Sequence, residues 1–281
     1  MQTIVEPLTS RPWALEGLPP FPPVATRILE VLSQDDAVLR QIAELIRMDA
    51  AFTAEVLRLA NSAAYGFRGR VDNVAQAIVL LGTERVKALT MTVALGIYTS
   101  AGKKNQTLRG CWLHSLASAF LADELAAPSG LNKDRAYTAG LLHDIGRLGL
   151  LVTYPAEYAN LTAVAIEHSI DVLEVERGMF DIDHCQAGAW LAKEWNFPPE
   201  LQEVIGNHHG ATPQGETDLC WLVNFVCRLA DTLGFQVMTP LRPYTYDELL
   251  SELPEQARER LPEDPAELAR NIQSKVSVIS G

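Results

Sequence analysis

Ala139-Gly140-Leu141-Leu142-His143-Asp144-Ile145-Gly146-Arg147 places two metal-binding side chains and a guanidinium inside an apolar helical run. Asn132 reads as the N-terminal cap of the helix that carries them. Neighbours on a helix differ by about 100°, so His143 and Asp144 approach one point from two directions. Arg147 lies four residues after His143 and shares its helical face. A guanidinium there can hold a phosphate oxygen in a fork. As a surface arginine at a helix C-terminus it would instead answer the helix dipole.

Outward from this stretch, His114 precedes it, and His184, the doublet His208-His209 and Asp231 follow. Five of the six histidines are in this series, each in or beside a helical segment. Alone, each has an ordinary explanation: His114 as a hydrogen-bonded core histidine, His184 as a polar residue in a first helical turn. His168 keeps the ordinary one, a surface histidine near a helix end. Taken together, His114, His143, Asp144, His184, His208, His209 and Asp231 are the donor inventory of a buried centre for divalent transition metal, read here as two ions. Imidazole and carboxylate suit Fe, Mn, Zn or Ni. A carboxylate can bridge two ions, and such a pair clamps a phosphate and acidifies a bound water. The catalytic positions on this reading are Asp144 and Arg147. The four cysteines, Cys111, Cys185, Cys220 and Cys227, form no CxxC pair and read as small buried hydrophobes outside the ligand set, although Cys111 and Cys185 lie near it in sequence.

The apolar periodicity is helical throughout, and an all-α, multi-helix bundle follows. Prolines at 19, 20, 22 and 23 lead into a helix carrying Val24, Ile28 and Val31. Shorter helices follow around Ile42–Ile46 and Phe52–Ala60. Gly82 stops a helix over 75–81, and Gly102 closes a longer one that begins near Val86. Lys103 to Gln106 reads as a linker. Leu113, Leu116, Phe120, Leu121 and Leu125 form a stripe ended by Pro128-Ser129-Gly130. Further helical stretches cover roughly 156–168, 172–178, 183–195, 199–207 and 219–233. The expected organisation is an N-terminal extension (1–17), an N-terminal helical subdomain (18–102), a metal-binding helical part (107–235) and a proline-rich appendage (236–281). No stretch alternates at period two, so no sheet is expected.

Composition narrows the function. The chain has 281 residues and a formal net charge of −12, which opposes DNA or RNA binding through phosphate contacts. A metal cluster could still hold an anion locally. No apolar run reaches about 18 residues, so no membrane span is expected. Neither a secretory signal nor a cysteine framework stands out, which places the protein in the cytoplasm.

The central nonapeptide, with His114 before it and Asp231 after it, resembles the HD superfamily of metal-dependent phosphohydrolases. His184 and His208-His209 match the extra histidines of its HD-GYP branch. Leu18-Pro19-Pro20-Phe21-Pro22, Ile46-Arg47-Met48-Asp49, Leu59-Ala60-Asn61-Ser62-Ala63-Ala64-Tyr65-Gly66, Gln76-Ala77-Ile78 and Leu80-Leu81-Gly82 resemble the HDOD domain, an HD-related output domain. This resemblance covers roughly residues 15 to 235. It implies an all-helical bacterial signalling module that retains a mono- or dinuclear site. The alternative is an active phosphohydrolase acting on a nucleotide or cyclic dinucleotide. The implied partner is a signalling protein or a nucleotide-like phosphate ligand. A helical interaction protein without metal is a third possibility.

Departures from HD-GYP weigh on the enzyme. Gly210-Ala211-Thr212-Pro213-Gln214-Gly215 replaces the loop that shapes dinucleotide recognition. Gly110 stands where trinuclear members carry a glutamate, and Arg147 stands in place of the usual lysine. Arginine keeps its proton, so it can bind phosphate but not act as a general acid.

Overall fold

The computed structural model describes residues 10–32, 39–62, 70–100, 105–210 and 217–280. Among them there are helices and turns and no strand. Residues 63–66 of the Leu59 motif, 103–104 of the expected linker and 211–215 of the loop after the histidine doublet lie outside the described residues.

The first four helices are α1 (Pro23–Leu32), α2 (Leu39–Arg47), α3 (Ala50–Ala60) and α4 (Val74–Ser100). Phe52, Val56 and Leu59 bury one face of α3, and Asp49 caps it by accepting from Phe52 N at 2.9 Å. At Gly82, α4 breaks: its φ of 75° and ψ of 169° fit only glycine. The sequence expectation of a stop there corresponds to this break, after which the chain resumes as helix.

α5 (Gln106–Ala126) is the central post. Its Leu116, Phe120, Leu121 and Leu125 are buried, and it packs on α4, α6 (Lys133–Leu142) and α12 (Leu219–Ala230). Gln106, expected in a linker, is the first helical residue, because Asn105 caps the helix by accepting from Leu108 N at 3.0 Å. Asn132 caps α6 as expected, accepting from Arg135 N at 3.0 Å.

The pair His143-Asp144 differs from the sequence expectation. It lies in the turn between α6 and α7 (Ile145–Thr153), not within one helix. Gly146 explains how close the next layer comes. A Cβ there would sit 2.0 Å from His184 O and 2.4 Å from Gly188 N, so α7 meets α10 (His184–Glu194) backbone to backbone. Gly140 makes a similar approach to α5, where a Cβ would lie 2.8 Å from Ser118 O.

α8 (Pro155–His168), α9 (Val172–Phe180) and α11 (Pro199–Asn207) complete the bundle around the turn. Beyond α12 comes a wide π turn, Asp231–Phe235, which contains Gly234 with φ of 91°. α13 (Tyr246–Glu252), α14 (Glu255–Arg258) and α15 (Pro265–Ser280) follow. α15 buries Leu268, Ile272 and Val276 and packs on α5. Arg58 of α3 donates to its last carbonyls, Val278 O at 3.0 Å and Ile279 O at 3.1 Å. No helix among the described residues is long and apolar enough to cross a membrane.

Candidate metal centre

Asp144 is fully buried, and its neighbour His143 and two histidines from elsewhere in the chain surround it. Oδ1 lies 3.4 Å from His184 Nε2 and 3.5 Å from His208 Nε2, and Oδ2 lies 3.8 Å from His143 Nε2. All three histidines are fully buried. α10 supplies His184 at its first residue, and His208 follows the end of α11.

The other ring nitrogen of each histidine fixes its tautomer. His143 Nδ1 is 2.7 Å from Gly140 O, and His208 Nδ1 is 2.9 Å from Ile205 O. A carbonyl only accepts, so the proton sits on Nδ1 in both rings. His184 Nδ1 lies 2.6 Å from Glu176 Oε2. Each Nε2 is thus left with a lone pair directed inward. Backbone carbonyls and carboxylates behind imidazoles orient them in this way at metal centres.

His114 adds a fourth ring. Its Nδ1 is 3.1 Å from Phe235 O and 3.3 Å from Asp231 Oδ1. Its Nε2 is 3.3 Å from His143 Nε2 and 3.5 Å from Cys227 Sγ. Asp231, expected among the ligands, therefore sits on the outer, Nδ1 side of His114. His209 is exposed, with its ring centroid 4.3 Å from that of His208 and 5.1 Å from that of His184. Of the doublet, His208 is the one aimed at Asp144.

Arg147 is buried, not on the surface. Its guanidinium donates to Asp144 Oδ2 at 2.9 Å and reaches His184 Nε2 at 3.1 Å. Burial opposes the Asp144 charge, but the Arg147 guanidinium outweighs it and holds the carboxyl well below its ordinary range. The same balance, with His184 and Arg147 as the stabilising partners, lowers Glu176. Burial pushes His143 and His208 down, so both rings are neutral near pH 7, as ligands must be.

These donors fit a divalent ion. Asp144 Oδ1 and His208 Nε2 are buried with no hydrogen-bond partner, and the His114 and His143 lone pairs face each other. Buried polar atoms are rarely left in this state. A cation seated between His114 and His143, or between His143, Asp144 and His208, would satisfy the donors of that group. Three donor groups lie close enough: His114, His143 and Cys227; His143, Asp144 and His208; and His184, Cys185, His208 and His209.

Several participants escaped sequence reasoning. Glu176 is fully buried on α9, accepts from His184 N at 2.8 Å and bonds the Tyr158 hydroxyl. Nothing in the sequence marks that glutamate apart from its neighbours. Cys227 did carry a signal: it is one helical turn before Asp231. Cys185 stands behind His208, with Sγ 3.8 Å from Nδ1.

A cavity of about 790 Å³ opens beside the centre. His114, Arg147, His209, Cys227 and Asp231 line its inner end, and Arg242 lies on its wall.

Similar proteins give this arrangement a family. The model of the HDOD domain matches residues 18–211. An uncharacterised protein of Treponema pallidum is 28% identical over 69% of this chain and 38% of its own length. Ribonuclease Y of Desulfotalea psychrophila is 32% identical over 36% of this chain and 14% of its own. The chain thus spans well under half the length of these curated relatives. Among solved structures, an HDOD domain protein of unknown function from Geobacter sulfurreducens superposes with a TM-score of 0.70 at 24% identity, over 94% of this chain and 91% of its own. A protein of Marinobacter aquaeolei, provisionally named for signal transduction, gives 0.69 at 27% identity, over 95% of this chain and 60% of its own. With its helical bundle and a family match over more than half its length, the chain belongs to the HDOD domain family.

Proposed function

We propose that this protein is a signalling module of the HDOD type that holds one divalent transition metal without turning over a substrate. The observation that carries the metal is the convergence of lone pairs. His114 and His143 face each other, and beside them Asp144 Oδ1 and His208 Nε2 are buried and unpaired. His143, common to two of the donor groups, would hold the ion with either His114 or the pair Asp144 and His208 beside it, and Asp231 and the carbonyls behind the rings would be orienting groups. When bound, the metal supplies positive charge that neutralises the buried carboxylate and can attract a phosphate.

Two features favour one ion over two. His143 Nε2 has one lone pair, so the two donor groups that share it cannot both be complete. On the other side, Arg147 already bonds Asp144 Oδ2 and His184 Nε2. Its guanidinium supplies there the charge that a second metal would bring. Two-metal hydrolysis needs a pair of ions about 3.5–4 Å apart. The signalling name of the Marinobacter aquaeolei protein agrees with a module.

The second reading is a phosphohydrolase, and the cavity favours it. It opens onto His114, Asp231, Arg147 and Arg242, where a phosphate ester would meet both the metal side and two guanidinium groups. Under that reading the substrate is a nucleotide or cyclic dinucleotide. The test is turnover of phosphodiesters by Mn-, Fe- or Zn-loaded protein beside its Asp144→Asn variant. The module reading expects metal uptake and no hydrolysis. Hydrolysis by the wild type that disappears in the variant would replace it with the enzyme.

A further inference from the structure

We infer that Cys227 is a direct ligand, which makes the ion on the His114 side a nitrogen-and-sulfur site suited to zinc or cobalt(II). This inference rests on the proposal that the chain binds a metal.

The argument is geometric. His114 and His143 are 1% and 0% exposed, and Cys227 is 5% exposed. His114 Nδ1 and His143 Nδ1 each face a carbonyl, so both Nε2 atoms carry lone pairs, 3.3 Å apart. Lone pairs at that separation repel unless a proton or a metal ion lies between them. Cys227 Sγ is 3.5 Å from His114 Nε2, and the three donor atoms lie within 4.8 Å of one another. A tetrahedral zinc with bonds of about 2.05 Å to nitrogen and about 2.3 Å to sulfur separates its nitrogens by about 3.3 Å and a nitrogen from a sulfur by about 3.6 Å. His114 Nε2 already stands at those separations from His143 Nε2 and Cys227 Sγ.

The alternative is a thiol hydrogen bond from Cys227 to His114. One S–H proton satisfies one lone pair and leaves His143 Nε2 facing His114 with none. An ion satisfies all three donors at once. It takes the sulfur as thiolate, and the thiol proton passes to solvent. Asp231, expected from the sequence to be a ligand, lies behind His114 instead, 3.3 Å from its Nδ1. Four residues separate it from Cys227, so α12 supplies a ligand and the turn that follows it supplies the carboxylate that orients another.

The test is cobalt(II) loading of the full chain, followed by its absorption spectrum. The expected result is tetrahedral d–d bands with a thiolate-to-cobalt charge-transfer band in the near ultraviolet. In Cys227→Ser the charge-transfer band is lost and the d–d bands remain. Cobalt bound without that band, or a band that persists in Cys227→Ser, overturns the cysteine ligand and leaves the metal proposal standing. No cobalt uptake by the wild type overturns both. If the serine variant does not fold, X-ray absorption of zinc-loaded wild type decides. A sulfur shell at about 2.3 Å is expected, and a shell of nitrogen and oxygen alone overturns the inference.

Discussion

Asp144 is the residue on which the centre turns. It has no exposed surface, bonds Arg147 and faces three imidazole lone pairs. Asp144→Asn leaves the Arg147 charge buried without its counter-ion, and breaking a buried pair in this way costs about 3–5 kcal/mol. Chemical denaturation of metal-free protein would read this loss, and a change below about 0.5 kcal/mol, the scale of ordinary surface substitutions, would contradict the geometry. The histidines give a second prediction. His143 and His208 have folded values below the ordinary 6.5. Below about pH 6.5 the unfolded chain takes up protons that these buried rings refuse, so stability is complete above that pH and falls as pH drops. The slope approaches about 1.4 kcal/mol per pH unit for each histidine. Unfolding of chelated protein between pH 7.5 and 5.5 should show it; a flat profile would mean the rings protonate freely in the fold. At this scale the sequence was partly legible. Residue type and helical setting pointed His114, His143, His184 and His208 to one place, and the fold brings them together. Glu176 was not legible, since only burial beside His184 distinguishes it from other helical glutamates. The arginine was legible as a phosphate ligand or a dipole partner, and its bond to Asp144 fits neither expectation alone.

Among the elements, the turn between α6 and α7 and its contact with α10 position the site. The nonapeptide was read as one helix because its apolar spacing continues past His143. The backbone departs from helix at Asp144, whose φ of −96° and ψ of 19° let its carboxylate turn inward. Periodicity cannot report such a break, whereas the break at Gly82 was marked by its residue. Gly146 then brings His184 to Asp144, since α7 and α10 touch there through backbone atoms. Gly146→Ala should therefore do two things. It should destabilise the fold by about 1–3 kcal/mol, as overpacking does. It should also weaken metal binding, because α10 must move away with His184. Melting temperature and metal titration together test this; an alanine variant with both unchanged would show that α7 and α10 are not in contact. The opposite control is Gly110, where a Cβ meets nothing within 4 Å and alanine should be harmless.

At the scale of the molecule, one core runs from α1 to α15, and Arg58 ties the final helix back to α3. The all-helical class was legible because helical spacing recurs along the chain. The boundaries drawn at 102, 107 and 235 were set by composition, and packing crosses them: α4 lies on α6, and α15 on α5. Because the centre draws on α5, the α6–α7 turn, α10 and α12, an ion bound there stabilises the whole bundle. Free metal at about 100 times its dissociation constant adds about 2.7 kcal/mol, which raises the melting temperature by roughly 5–10 °C for a chain of this size. Removal by chelator should reverse the shift, and equal melting with and without metal would separate the histidines from any ion. The most direct measurement is elemental analysis of protein purified without chelator or histidine tag. About one equivalent of zinc, iron, manganese, nickel or cobalt per chain is expected, and His143→Ala should lose it. Less than a tenth of an equivalent, persisting after incubation with each ion, would contradict the account, and the buried histidines would then be a metal-free part of the core.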